Sequence, residues 1–342
     1  MLSASTLDER ESRNQLGQQL IQSACWHGRG PALRLLATRF GCSLRCKWDH
    51  TAAPVDDQTT LAFNAAPLAA LAAARNHAHC LSILAELLPS GALSKTRDAG
   101  DRYAAHYAAA GGAADSLRVL QELELAGPPG TGTLSAPDAM GRTPAHVAAE
   151  RGRTDALRAL HDLKADLGAS DQKGRTPLHA AAITGQIEAI VLLADLLPKH
   201  VLDAYDHDGM RALHVASRDN QPAVIAALVN AGADLYVQDR DGRTAAHWAA
   251  AEGCTEALRQ LAAVKAPLAM PDNAGHSPAY LAGGGQHNDC LAVLAKSAPR
   301  HLGATAGFTA QAVRPKAYVP DELPTFDPRI YARNLARVKA RP

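Results

Sequence analysis

The chain has 342 residues, with 35 Lys and Arg against 34 Asp and Glu, and a formal net charge of +1. So even a balance gives no bulk attraction to nucleic acid or to an anionic membrane, and neither is expected as a partner. Hydrophobic residues make up 47% of the chain but aromatics only 4%, and Val and Ile form no strand-like runs. This excludes a sheet-built core and favours short, closely packed, alanine-rich helices.

Residues 1–15 are polar, with Asp8, Glu9, Arg10, Glu11 and Arg13, and carry no signal-peptide apolar core. Leu20–Gly28 reads as a short helix and Pro31–Phe40 as a second. Residues 41–64 form an irregular link. Ala66-Pro67-Leu68 opens a further unit, and Cys80–Leu88 is its second helix. The longest apolar stretch, Leu61–Ala74, contains Asn64 and Pro67 and is too short to span a bilayer. Cys25, Cys80, Cys254 and Cys290 fall at helix positions far apart in sequence. They are expected as buried reduced thiols in a reducing, cytoplasmic compartment; nuclear or host-cell delivery remains open.

The most regular stretch is Asp171–Gly185, Asp-Gln-Lys-Gly-Arg-Thr-Pro-Leu-His-Ala-Ala-Ala-Ile-Thr-Gly. Gly174 suits a tight turn, Thr176 an N-cap, and Pro177 the first helical position, where a missing N–H costs nothing. Gly185 ends that helix, and a second helix is expected from about Ile187 to Leu196. Histidines at 146, 179, 214 and 247 recur at intervals of 33, 35 and 33, and Tyr280 follows 33 later. His106 to His146 is 40, an excess of seven that matches the loop Gly127-Pro-Pro-Gly-Thr-Gly-Thr133.

Thr-Pro-Leu-His after Asp-x-x-Gly at this period resembles the ankyrin repeat. The resemblance implies an all-α ankyrin-repeat solenoid of about eight helix-turn-helix units with short turn fingers. The array is expected over 16–298, degenerate over 16–97 and regular over 98–298. A Pro-rich tail follows at 299–342, with eight basic and three acidic residues. In the family the motif histidine bonds backbone and ties turn to helix. The function implied is non-catalytic protein binding by an adaptor, expected to be a monomer, with no cofactor. The alternative is a scaffold whose basic tail docks or targets, as in ankyrin effectors delivered into host cells.

Other chemistry is poorly supported. The histidines would stand roughly ten ångströms apart, whereas zinc needs ligands near 2 Å from one ion. Gly127–Thr133 looks like a phosphate loop but lacks its Lys. Cys42, Cys46 and His50 supply only three local ligands, so no metal is assigned, and the point stays open. Nothing pairs a nucleophile with a base, so no enzyme is expected.

The residues that escape the repeat rule are the candidates for binding. Arg102, Arg142, Arg175, Met210 and Arg243 occupy the place after the turn glycine, or its aligned place, and should form a row; the arginines either lie over neighbouring aspartates or meet an acidic protein partner. Met140, Lys173 and Arg240 stand at turn tips, and Arg151, Ile183, Thr184 and Arg218 at the open ends of the first helices. In the family these two sets line the concave groove. Trp248, one residue past a motif histidine, is either core or an interface anchor.

Overall fold

The computed structural model describes residues 16–39, 65–87, 97–125 and 132–297, and every regular element in them is helical. The readings of 1–15, of Cys42, Cys46 and His50, and of the tail lie outside the described residues. Eight helix pairs run in order, each with an inner and an outer member. The first three are 16–26 with Gly30–Arg39, Ala65–Ala74 with Ala78–Leu87, and Ala104–Gly111 with Ala114–Leu125. Pro144–Glu150 with Thr154–Asp162, Pro177–Thr184 with Ile187–Leu196, and Ala212–Arg218 with Pro222–Asn230 follow. Ala245–Ala251 with Thr255–Ala263 and Pro278–Gly284 with Asn288–Ser297 complete the series. Inner helices pack on inner and outer on outer. One apolar layer therefore runs from Ile21 to Leu294, its largest buried members being Leu157, Leu160, Ile190, Leu193, Ile225 and Leu228. Burying each such side chain is worth about 1.5–3 kcal/mol.

The fifth unit forms as its sequence predicts. Thr176 is extended, Pro177 starts the inner helix, and Gly185 ends it at φ 76°. The outer helix, Ile187–Leu196, has the expected bounds. The longer interval before His214 is taken up by an extra turn, Lys199–Leu202. The inner helices are short and alanine-rich because their backbones nearly touch. A Cβ on Gly111 would lie 2.0 Å from the carbonyl oxygen of Ala74 in the preceding unit.

Three polar ladders join the units. In the first, the motif histidine Nδ1 accepts the N–H of its own helix cap: Thr143 at 3.1 Å, Thr176 at 3.2 Å and Thr244 at 3.0 Å. Nδ1 therefore carries no proton, and Nε2–H donates to a carbonyl of the next unit. His106 reaches Arg142 at 2.9 Å, His146 reaches Arg175 at 2.8 Å, and His179 reaches Met210 at 3.1 Å. His214 to Arg243 and His247 to His276 follow, both at 3.1 Å. The histidine thus ties turn to helix and also unit to unit. In the second ladder, finger backbones pair, as in Gln172 N–H to the Met140 carbonyl at 3.1 Å and His207 N–H to that of Lys173 at 2.9 Å. In the third, the side chain after the inner helix reaches back one unit. Gln221 donates to the Ile183 carbonyl at 2.9 Å and Arg153 to that of Ala110 at 3.1 Å.

Candidate protein-interaction surface

Each finger turns on an aspartate, buried at Asp98, Asp138, Asp171, Asp206 and Asp272 and half-buried at Asp239. Its Oδ1 accepts backbone N–H groups two and four residues on, as Asp171 does from Lys173 at 2.8 Å and Arg175 at 2.9 Å. This closes the turn and leaves Oδ2 facing the arginine row. Arg102 donates to Asp98 at 2.8 Å. Arg142 donates to Asp138 at 3.0 and 2.9 Å and reaches Glu150 at 3.2 Å. Arg175 donates to Asp171 at 3.1 and 2.8 Å. Burial would raise the Asp171 carboxyl, but the backbone bonds and Arg175 hold it below its ordinary value. These three guanidiniums are committed to their own fingers, so they do not form a free cationic row.

The row changes in the sixth and seventh units. Met210 is only 5% exposed, so it leaves the candidate surface: an apolar thioether here is buried rather than presented. Trp248 is half-buried, and its indole N–H donates to Asp239 Oδ2 at 2.8 Å. It is therefore neither an apolar core residue nor a free anchor. The indole displaces Arg243, whose nearest carboxylates are Asp272 at 3.9 Å and Asp241 at 4.0 Å, and whose Nε is buried without a hydrogen-bond partner. Tyr107 plays a similar part in the third unit, donating to Asp98 at 2.5 Å without displacing Arg102. Arg218 is held by Asp219 at 2.9 Å, which raises its pKa.

The remaining candidates face solvent. Met140 is 59% exposed at its fingertip. Arg151, Lys173, Arg240 and Thr184 are exposed, and Ile183 is half-buried. Among the described residues, Arg151, Lys173 and Arg240 belong to no ion pair. Tyr205 and Tyr236, 65% and 62% exposed on the finger approaches, were not among the sequence candidates. Their signal was available: Tyr205 stands where the other units have Pro137, Ser170, Gln238 and Pro271.

Catalytic and metal chemistry gain no support. Burial holds the motif histidines below the usual imidazole range, His214 at about 4. Among the described residues no group of three or more His, Cys, Asp or Glu is placed to hold a metal. Thr133, at the end of the glycine-rich loop, is buried and donates its N–H to the Glu124 carboxylate at 2.7 Å and its hydroxyl to the same oxygen. A carboxylate at that base would repel phosphate. No helix among the described residues is long and apolar enough to cross a membrane.

A family model described as ankyrin repeats (3 copies) matches residues 69–171, 117–204, 146–239 and 213–305. These matches cover more than half of the chain, which therefore belongs to the ankyrin-repeat family. Ankyrin repeats are generally protein–protein interaction modules and typically non-catalytic. No curated protein matches the chain.

Proposed function

We propose that the chain is a monomeric, non-catalytic adaptor that binds a protein along the fingertips and open inner-helix ends of units four to seven. One observation carries this reading. Arg151, Lys173 and Arg240 are exposed cations outside any ion pair, and Lys173 stands on the finger next to that of the exposed Met140. The paired arginines behind them are neutralised by their own aspartates. Around units four and five the surface therefore suits an acidic segment with an apolar side chain for Met140. Met140 supplies an adaptable apolar contact. A reducing, cytoplasmic setting is part of the proposal, supported by the buried free thiols of Cys25, Cys80, Cys254 and Cys290; burial pushes Cys25 up to about 12.

The test places a photo-crosslinking residue at Met140 or Lys173, and in parallel at Arg158 or Val191 on the outer helices. Capture of one partner from the tips, lost on joint Arg151→Glu, Lys173→Glu and Arg240→Glu substitution, is expected. Equal capture from the outer face, or capture that survives the charge reversals, refutes the reading.

A further inference from the structure

The six finger aspartates form an internal comparison. Oδ2 of Asp98, Asp138 and Asp171 is bonded by its own arginine, and Oδ2 of Asp239 by the Trp248 indole. Oδ2 of Asp272 has His276 at 3.7 Å and Arg243 at 3.9 Å. Asp206 differs. It is 5% exposed, and its Oδ1 accepts from Asp208 at 3.0 Å and Met210 at 2.8 Å, as in the other fingers. Its Oδ2 accepts no hydrogen bond from the chain: the residue that is arginine in the third, fourth and fifth fingers is here Met210, whose side chain has no donor. This oxygen is not among the fully buried side-chain atoms left without a partner, so it is reachable from outside, and a carboxylate oxygen so placed takes a cationic donor well.

The surroundings favour a cation. Asp208 is exposed on the same finger, and Tyr205, the neighbour of Asp206, presents an aromatic ring. The nearby positive charges are Arg240, whose stem lies against Gly209 of the same finger, and Arg218. Arg218 is taken up by Asp219 at 2.9 and 3.4 Å and lies in the field of Glu252 and Asp206. Asp206, Asp208, Asp219 and Glu252 against Arg218 and Arg240 leave two negative charges. The geometry points to a guanidinium subsite in the sixth unit, in which an arginine side chain of the bound protein donates to Asp206 Oδ2. The arginine takes the place that the chain's own arginine holds in the third, fourth and fifth fingers. Its planar fork suits this better than a lysine ammonium, and Tyr205 offers it an aromatic surface. This rests on the binding surface proposed above and adds to it: the partner segment carries an acidic part towards units four and five and an arginine at unit six.

The experiment titrates N-acetyl-arginine methylamide into the 15N-labelled full chain, with the citrulline analogue as the neutral isostere. Amide shifts at Asp206, Asp208 and Met210 are expected with arginine and not with citrulline. Asp206→Asn keeps the turn acceptor and removes the charge. Met210→Arg supplies the guanidinium internally. Each should weaken the arginine probe about tenfold or more, the scale of one charge-assisted hydrogen bond. Melting curves establish that the variants fold, and should Met210→Arg fail to fold, Asp206→Asn decides. Equal shifts with citrulline, or undiminished binding to a folded variant, overturn the subsite. Tip crosslinking that persists while the arginine probe fails sinks the subsite alone. Probe binding without tip crosslinking sinks the groove reading alone.

Discussion

Acid should uncouple the array through its histidines, and His214 allows the size to be worked out. It is fully buried, its Nδ1 accepts the Arg211 N–H at 3.1 Å, and burial lowers its pKa to about 4. The unfolded value is about 6.5. The unfolded chain therefore binds the proton first. The stabilisation is fully present above about pH 6.5 and is lost as pH falls towards about 4. For His214 alone the loss between pH 7 and pH 4.5 is roughly 2.5 kcal/mol. His106, His146, His179 and His247 are shifted the same way and add to it. Asp98 and Asp171, whose pKa values are lowered, contribute only below the ordinary carboxylate range. Glu124 and Asp203, raised by burial, act in the opposite sense, since lower pH relieves them. Urea melts followed by circular dichroism from pH 7 to pH 4.5 measure the effect, with His214→Gln as the comparison. The variant should be less stable at pH 7 and lose less on acidification, by roughly 2 kcal/mol. If wild type and variant lose the same amount, or if the His214 ring titrates near 6.5 in the folded chain, the reasoning fails.

Two glycines at neighbouring steps of the repeat should respond to alanine with opposite signs. Gly284 ends a helix with open space around it, so Gly284→Ala should gain up to about 1 kcal/mol. Gly111→Ala gains the same propensity but drives a methyl into the Ala74 backbone, and should lose about 1–3 kcal/mol net by thermal melt. Trp248→Phe removes the donor to Asp239 and lets Arg243 swing back to it, so the net cost should stay below about 1 kcal/mol. In an Arg243→Met background the same change should cost about 1 kcal/mol more, and a double-mutant cycle showing no coupling would refute the competition.

The scaffold was legible because its signals are local. Thr176, Pro177 and Gly185 specify a helix start and stop within ten residues, and copies of them at a steady interval announce stacking. The bond from His179 to Met210 was not legible, since it joins residues 31 apart that only stacking brings together. The surface was harder still. Register alone placed Met210 with the arginines, yet an apolar side chain in a half-buried row turns inward. The sequence leaves the arginines two places, over neighbouring aspartates or on a partner, and only the fold shows Asp171 within reach of Arg175. Trp248 was read as core or anchor, with no account of its N–H; the donor on a buried indole needs an acceptor, and Asp239 provides it.

The histidine ladder gives the chain a direction. Every unit from the third to the seventh lends a motif-imidazole donor forward, and what comes back is the other ladder, as in His287 Nε2–H to the Ala251 carbonyl at 3.0 Å. A break between two units therefore leaves an unspent imidazole N–H on one side and a bare carbonyl on the other. Copying a whole period between two motif histidines leaves every such bond closed, so the array can lengthen internally without a new kind of joint. Tyr280 ends this traffic. Its ring has no nitrogen to accept the Ser277 N–H, so the cap runs the other way, from Tyr280 N–H to the Ser277 hydroxyl at 3.3 Å, while the ring stacks on His276. Among the described units the eighth accepts the last forward bond and offers no motif imidazole to pass on.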